Sequence, residues 1–217
     1  MKHFVLFSFW FLLIQAGFTQ SMYTNPVYQA DFADPTVIRG HDGWFYAYAT
    51  NTSVNKKFYH IQVAKSSNLI NWKVVGDALP MMPSWAEIDF WAPHVLYDSL
   101  LQQYYMYYSG ESPDEGIGKC IGVAISKSPV GPFVDIGQPL VSGESFVNID
   151  PMAFDDPATG KKYLYWGSGH KPIKVSELND DRISCKSGSS PVDVITPNNE
   201  DYSKLVEGAW VHYRDGY

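Results

Sequence analysis

The side chains of Asp34, Asp150 and Glu207 are the groups of this sequence best suited to acid–base chemistry. Asp34 and Asp150 each precede a proline, and Glu207 follows further along the chain, ahead of Gly208. Carboxyls that share a cavity disfavour joint ionisation, so one can stay protonated while another is ionised. Hydrolysis of a glycosidic bond needs this division, because a carboxylic acid protonates the leaving oxygen and a carboxylate activates water or attacks directly.

An internal repeat predicts how carboxyls so far apart in the chain could meet. Pro35, Pro93 and Pro151 recur at two equal intervals. We call the residue before each proline the slot, which holds Asp34, Ala92 and Asp150 in turn. Glu207 follows Asp150 at an interval one residue shorter than the repeat. This spacing predicts Glu207 as the slot residue of a fourth copy, in which glycine rather than proline follows the slot.

Each copy also predicts several short strands. A polar turn follows the slot segment, then an aromatic run, then a third apolar stretch and further strand-like residues, a pattern typical of pleated sheets. The aromatic runs are residues 44–48, 104–108 and 163–166, and the third stretches are residues 61–66, 121–126 and, more weakly, 173–176.

About four strands per unit indicate an all-β fold. The length of the repeat is similar to that of a propeller blade, which favours a β-propeller over a β-sandwich. The first strand of each blade lines the central axis of a propeller, so the slots should face one shared cavity. The sequence predicts about three blades and the start of a fourth. Such a chain cannot close a ring of 4–8 blades, and we expect it to be inactive or poorly folded alone.

Composition and charge narrow the choice of partner. A net charge of −7 argues against nucleic acid and anionic membrane surfaces. The five histidines outside the N-terminal segment show no metal-ligand spacing, and no Cys/His cluster predicts a zinc site. The sequence leaves open whether Cys120 and Cys185 form a disulfide.

The N-terminus has the layout of a secretory signal peptide. A basic start is followed by an apolar run and then by small and polar residues, over residues 1–20. The apolar run is too short to span a bilayer comfortably. The sequence therefore predicts a protein secreted to an extracellular or periplasmic location without stable membrane insertion, with residues 21–217 as the N-terminal part of one catalytic domain.

Each candidate residue has a structural alternative. An Asp-Pro pair is common in turns, and a glutamate before glycine is usually at the surface. Trp91, just before the slot residue Ala92, could stack on a sugar or pack in the core; Trp85 and Trp210 are weaker candidates. The shared place of the carboxyls in the repeat favours a common site.

Four motifs in this order resemble those of glycoside hydrolase family 43. They are Ala33-Asp34-Pro35, Phe90-Trp91-Ala92-Pro93-His94, Asn148-Ile149-Asp150-Pro151 and Val206-Glu207-Gly208-Ala209, and the resemblance runs from about Asn25 to Tyr217. It implies a five-bladed propeller and inverting hydrolysis of arabinose- or xylose-containing plant polysaccharides or oligosaccharides. By position, Asp34 matches the general base and Glu207 the general acid. Asp150 matches the carboxylate that orients and tunes the acid, and Trp91 a sugar-subsite tryptophan.

The resemblance also sets expectations for cofactors and for alternative functions. It implies no required cofactor; a central calcium ion would suit the complete domain, but its ligands are not expected in this chain. Two alternatives remain: a non-catalytic carbohydrate-binding propeller, and a retaining fructan-acting propeller hydrolase. The second is disfavoured because its motifs differ from Ala-Asp-Pro-Thr, Ile-Asp-Pro and Glu-Gly here.

Overall fold

The computed structural model describes residues 23–114, 116–143, 146–198 and 204–217. These residues form β-strands and no helix, so this part of the chain has no helix long and apolar enough to cross a membrane. The predicted signal peptide, residues 1–20, lies outside the described residues.

The described residues contain fourteen strands. In chain order they are β1 (Thr36–Arg39), β2 (Phe45–Ala49), β3 (Thr52–Val54), β4 (Lys57–Tyr59), β5 (Gln62–Ser66), β6 (Lys73–Asp77), β7 (Ile88–Asp98), β8 (Gln103–Glu111), β9 (Lys119–Ser126), β10 (Val134–Asp135), β11 (Met152–Asp155), β12 (Lys162–Trp166), β13 (Ile173–Leu178) and β14 (Val192–Ile195).

Twelve of these strands form three four-stranded antiparallel sheets, one for each copy of the repeat. Blade 1 has the order β1-β2-β5-β6, blade 2 the order β7-β8-β9-β10 and blade 3 the order β11-β12-β13-β14. The remaining pair, β3 and β4, forms a separate hairpin between β2 and β5. The aromatic runs form the second strand of each blade, as the sequence predicted.

The middle blade is covered on both faces. Alternate residues of a strand point to opposite faces of the sheet. In β8, Tyr104, Met106 and Tyr108 therefore pack in a core shared with blade 1, whereas Tyr105 and Tyr107 pack in a second core shared with blade 3. This arrangement rules out a two-sheet sandwich, in which one core lies between two sheets.

A buried arginine also ties blade 2 to blade 3. The Arg182 guanidinium donates to Asp98 Oδ2 at 3.0 Å and makes a bidentate contact with Asp155. Tyr107 donates its hydroxyl proton to the Arg182 carbonyl at 2.8 Å. Cys120 and Cys185 are both free thiols, so the disulfide that the sequence left open does not form.

The first strands of the blades meet at a common axis, where β7 contacts both β1 and β11. The fold is thus an incomplete β-propeller: three blades, followed by a segment, residues 204–217, that occupies the place of a fourth first strand at this axis. In β7 the pairing with β8 shifts register twice, between Ile88 and Trp91 and between Trp91 and His94, so Trp91 lies between two irregularities beside the slot.

Candidate active site

The slot is a distinct backbone conformation that recurs in all four segments. Asp34, Ala92 and Asp150 have positive φ angles of 49°, 43° and 56°, and Gly208 has a φ of 63°. The fourth slot residue is therefore Gly208, and the prediction that Glu207 occupies it was wrong by one position. Glycine adopts this conformation readily, and Gly208 follows Asp150 at the same interval that separates the earlier slots. Glu207 instead precedes the slot, as Trp91 does in blade 2.

The four slot segments enclose one cavity of about 220 Å³ at the axis. Each contributes three consecutive residues, starting at the slot. The lining residues are Asp34, Pro35, Thr36, Ala92, Pro93, His94, Asp150, Pro151, Met152, Gly208, Ala209 and Trp210. Among the described residues, Asp34 and Asp150 thus lie in the wall, whereas Glu207 and Trp91 lie just outside it.

Asp150 is the carboxyl most affected by its surroundings. Burial raises its pKa to about 6, and the negative charges of Glu207 and Asp34 add to this rise, while the backbone N–H of Gly208 opposes it. That N–H donates to Asp150 Oδ2 at 3.1 Å. Glu207 and Asp34 therefore both lie within electrostatic reach of Asp150.

Asp34 and Glu207 are exposed and are each held by a side-chain hydroxyl. Thr50 donates to Asp34 Oδ2 at 2.7 Å. Ser168 donates to Glu207 Oε2 at 2.6 Å. Hydrogen bonds to a carboxylate are shorter and stronger than those between neutral groups, so each bond restrains a side chain that is otherwise open to solvent.

His94 and Trp210 line the cavity, although the sequence gave His94 no role there and made Trp210 only a weak candidate. Burial lowers the pKa of His94 to about 4, so its imidazole is neutral near pH 7, and its Nδ1 accepts the backbone N–H of Ala153 at 3.3 Å. The Trp210 ring meets it edge to face at 5.8 Å and is 65% exposed. The repeat could have identified both residues, because each lies two positions after a slot residue.

One face of the Trp91 indole lies against a buried cation. Lys119 Nζ lies 3.7 Å from the Trp91 ring centroid, and the Lys119 side chain is fully buried. Its ammonium also pairs with Glu111 at 2.5 Å and contacts Asp89. Phe146 lies beside Trp91 with a centroid distance of 6.3 Å and is exposed.

The described residues do not fit a calcium ion by themselves. Calcium takes about six to eight oxygen ligands. At the cavity wall, the Thr36 hydroxyl is buried and has no hydrogen-bond partner within the described ranges, and the imidazole of His94 lies two positions after the next slot. In this part of the chain no three His, Cys, Asp or Glu side chains are grouped to hold a metal. One unsatisfied hydroxyl and a neutral imidazole do not supply the oxygen ligands that calcium needs.

Known proteins resemble this chain over most of its length. A family model described as "Glycosyl hydrolases family 43" matches residues 23–217. A "Probable arabinan endo-1,5-alpha-L-arabinosidase D" from Emericella nidulans is 30% identical over 200 residues, which are 85% of this chain and 49% of the relative. "Xylosidase/arabinosidase 43A" from Humicola insolens is 36% identical over 170 residues, which are 61% of this chain and 50% of that protein.

A solved structure shares the fold. The crystal structure of a thermostable family-43 glycoside hydrolase matches with a TM-score of 0.68 and 33% identity, over 83% of this chain and 58% of that chain. The chain therefore spans about half the length of the relatives that it matches.

Proposed function

Because this chain belongs to glycosyl hydrolase family 43, we propose that the protein is an inverting glycoside hydrolase acting on arabinose- or xylose-containing polysaccharides or oligosaccharides. Asp34 is the general base, Glu207 the general acid and Asp150 the third carboxyl. The observation that carries this proposal is that Glu207 and Asp34 both lie close enough to Asp150 to raise its pKa.

The reaction follows from the two exposed carboxyls. Asp34 takes a proton from water as the water oxygen bonds to the anomeric carbon. Glu207 gives its proton to the glycosidic oxygen as the bond from that oxygen to the anomeric carbon breaks, so the leaving sugar departs as a neutral alcohol. Asp150 touches no reacting atom in this scheme. It positions the acid and, by like-charge repulsion, disfavours joint ionisation with Glu207.

Trp91 supplies the sugar-stacking surface in this proposal. Its inner face is covered by the buried Lys119 ammonium, which fixes the plane of the indole. A sugar ring presents apolar C–H groups that pack on an aromatic face, and the exposed Phe146 ring extends that surface. Replacing Trp91 with alanine should therefore raise KM more than it lowers kcat.

Substrate class and stereochemistry are tested together. The named relatives suggest arabinan and xylan linkages, so the full-length protein should be assayed on an aryl arabinofuranoside, an aryl xyloside and linear arabinan. Proton NMR of the first-formed anomer should show inversion. Retention would favour the fructan-type mechanism, and binding without turnover would favour a carbohydrate-binding propeller.

The role of Glu207 predicts a dependence on the leaving group. Glu207→Gln cannot donate the proton, so turnover of linear arabinan or xylan should fall by about a hundredfold or more. An aryl glycoside with a highly acidic leaving group needs little protonation and should lose much less activity. Glu87→Gln is the matched control, because Glu87 is exposed and comes directly before β7. Equal losses on both substrates would contradict the acid role.

The N-terminal segment suggests where the protein acts in relation to the cell. We propose that residues 1–20 are removed on export, so that the protein acts outside the cytoplasm. Sequencing the N-terminus of the protein from the culture medium or periplasm should give a start near Ser21. An intact Met1 on the exported protein would contradict cleavage.

A further inference from the structure

A side-chain hydroxyl recurs at the end of the second strand of every blade. Thr50 follows β2, Ser109 lies near the end of β8 and Ser168 follows β12. The two intervals between these residues are equal. Each of these hydroxyls bonds to a group in the next slot segment along the chain.

In blade 1 one hydroxyl makes two bonds with opposite directions. Thr50 Oγ1 donates its proton to Asp34 Oδ2 at 2.7 Å and accepts the backbone N–H of Ala92 at 3.0 Å. The slot carboxylate of blade 1 is thereby joined through one atom to the slot backbone of blade 2.

In blade 2 the hydroxyl holds backbone only. Ser109 is fully buried, and its Oγ accepts the backbone N–H of Asp150 at 3.1 Å. This is the same bond that Thr50 makes to Ala92. The slot residue of blade 2 itself, Ala92, has no carboxylate to receive a proton.

In blade 3 the pattern changes in a way that frees the hydroxyl. The slot N–H of the next segment, that of Gly208, is taken by Asp150 Oδ2. Ser168, only 3% exposed, bonds Glu207 Oε2 instead, at 2.6 Å. A buried hydroxyl anchored in the sheet thus fixes an exposed carboxyl of the following segment.

We propose that Thr50 and Ser168 are positioning residues for the reaction, and that they hold the base and the acid from the rigid ends of two equivalent strands. This inference rests on the roles proposed for Asp34 and Glu207. Those two carboxyls are exposed, so without a donor they would rotate among solvent-facing rotamers.

The test compares Thr50→Val and Ser168→Ala with the conservative variants Thr50→Ser and Ser168→Thr. Loss of one hydrogen bond to a charged group should lower kcat by about ten- to a hundredfold, with KM changed by less than about threefold because the sugar-stacking surface is intact. The conservative variants should recover most of kcat.

Ser126→Ala is the matched control, since Ser126 is a buried serine at the end of β9 whose hydroxyl accepts a backbone N–H. Its kcat and KM should match those of the wild type, while thermal unfolding checks that every variant is folded. A wild-type kcat in the folded Thr50→Val and Ser168→Ala variants would overturn the inference. If Asp34→Asn and Glu207→Gln were inactive in the same assay, the proposed function would still stand. Full activity of those carboxyl variants would overturn both.

Discussion

Asp34 and Asp150 occupy the same place in two repeats, yet their surroundings give them different chemistry. Both have a positive φ and both precede a proline. Asp34 is exposed and receives its bond from a hydroxyl, whereas Asp150 is partly buried beside Glu207 and has its pKa raised to about 6. A repeat therefore sets where a carboxyl is placed, and the neighbouring segment sets how it ionises.

The largest expected effect comes from exchanging each aspartate for asparagine in the full-length protein. Asp34→Asn removes the general base and should lower kcat/KM by about a thousandfold. Asp150→Asn should lower it less, by about ten- to a hundredfold, because Asp150 contacts no reacting atom. Asparagine tolerates a positive φ, so steady-state kinetics should compare folded proteins. A greater loss in Asp150→Asn than in Asp34→Asn would reverse the two roles.

A smaller effect should appear in the pH dependence of stability. A folded-state pKa near 6 means that the folded protein binds a proton at Asp150 more tightly than the unfolded chain does. The free energy of unfolding should therefore fall by up to about 3 kcal/mol as pH rises from about 4 to 6. Asp150→Asn removes this fall, so the variant should match the wild type near pH 4 and exceed it at pH 7.

Urea unfolding at several pH values between 4 and 7 measures this difference. Asp34→Asn is the control: it has the same backbone conformation, and the contribution of Asp150 should persist in it. Parallel curves for the wild type and Asp150→Asn would contradict the prediction.

The smallest effect concerns the slot backbone itself. Gly208→Ala places a Cβ in open space, so the cost is that of the left-handed backbone, about 1 kcal/mol. Ala92→Gly relieves the same strain and should have the opposite sign. Thermal unfolding of the two variants should give Tm shifts in opposite directions. Shifts of the same sign would show that the slots are not equivalent.

The repeat made most of the fold predictable from the sequence. Regular prolines and aromatic runs gave the three blades because strand-forming residues recur with turns between them. The β3–β4 hairpin was not predicted, because it lies in blade 1 outside the repeated pattern. The weak third stretch of blade 3 did form β13, with the fourth strand β14 paired to it.

The site was less predictable than the fold. The sequence indicated three carboxyls but misplaced Glu207 by one residue, because a carboxyl was expected in every catalytic slot, whereas the fourth slot holds Gly208 and the carboxyl comes just before it. His94 was missed, and Trp210 was only a weak candidate, because the sequence does not show which residues after the slot reach the axis. The hydroxyls of Thr50 and Ser168 were missed because they lie on other strands, and only the folded sheets bring them to the carboxyls.

Because both faces of β8 are buried in cores, this strand affects the order in which the chain can fold on the ribosome. Its tyrosines and methionine alternate between two cores, so blade 1 stays uncovered until blade 2 has emerged, and blade 2 stays half-covered until blade 3 has followed. Domains form from the N-terminal end first during synthesis. The cores are therefore buried in the order in which the blades are translated. Each newly synthesised sheet covers the exposed face of the sheet before it.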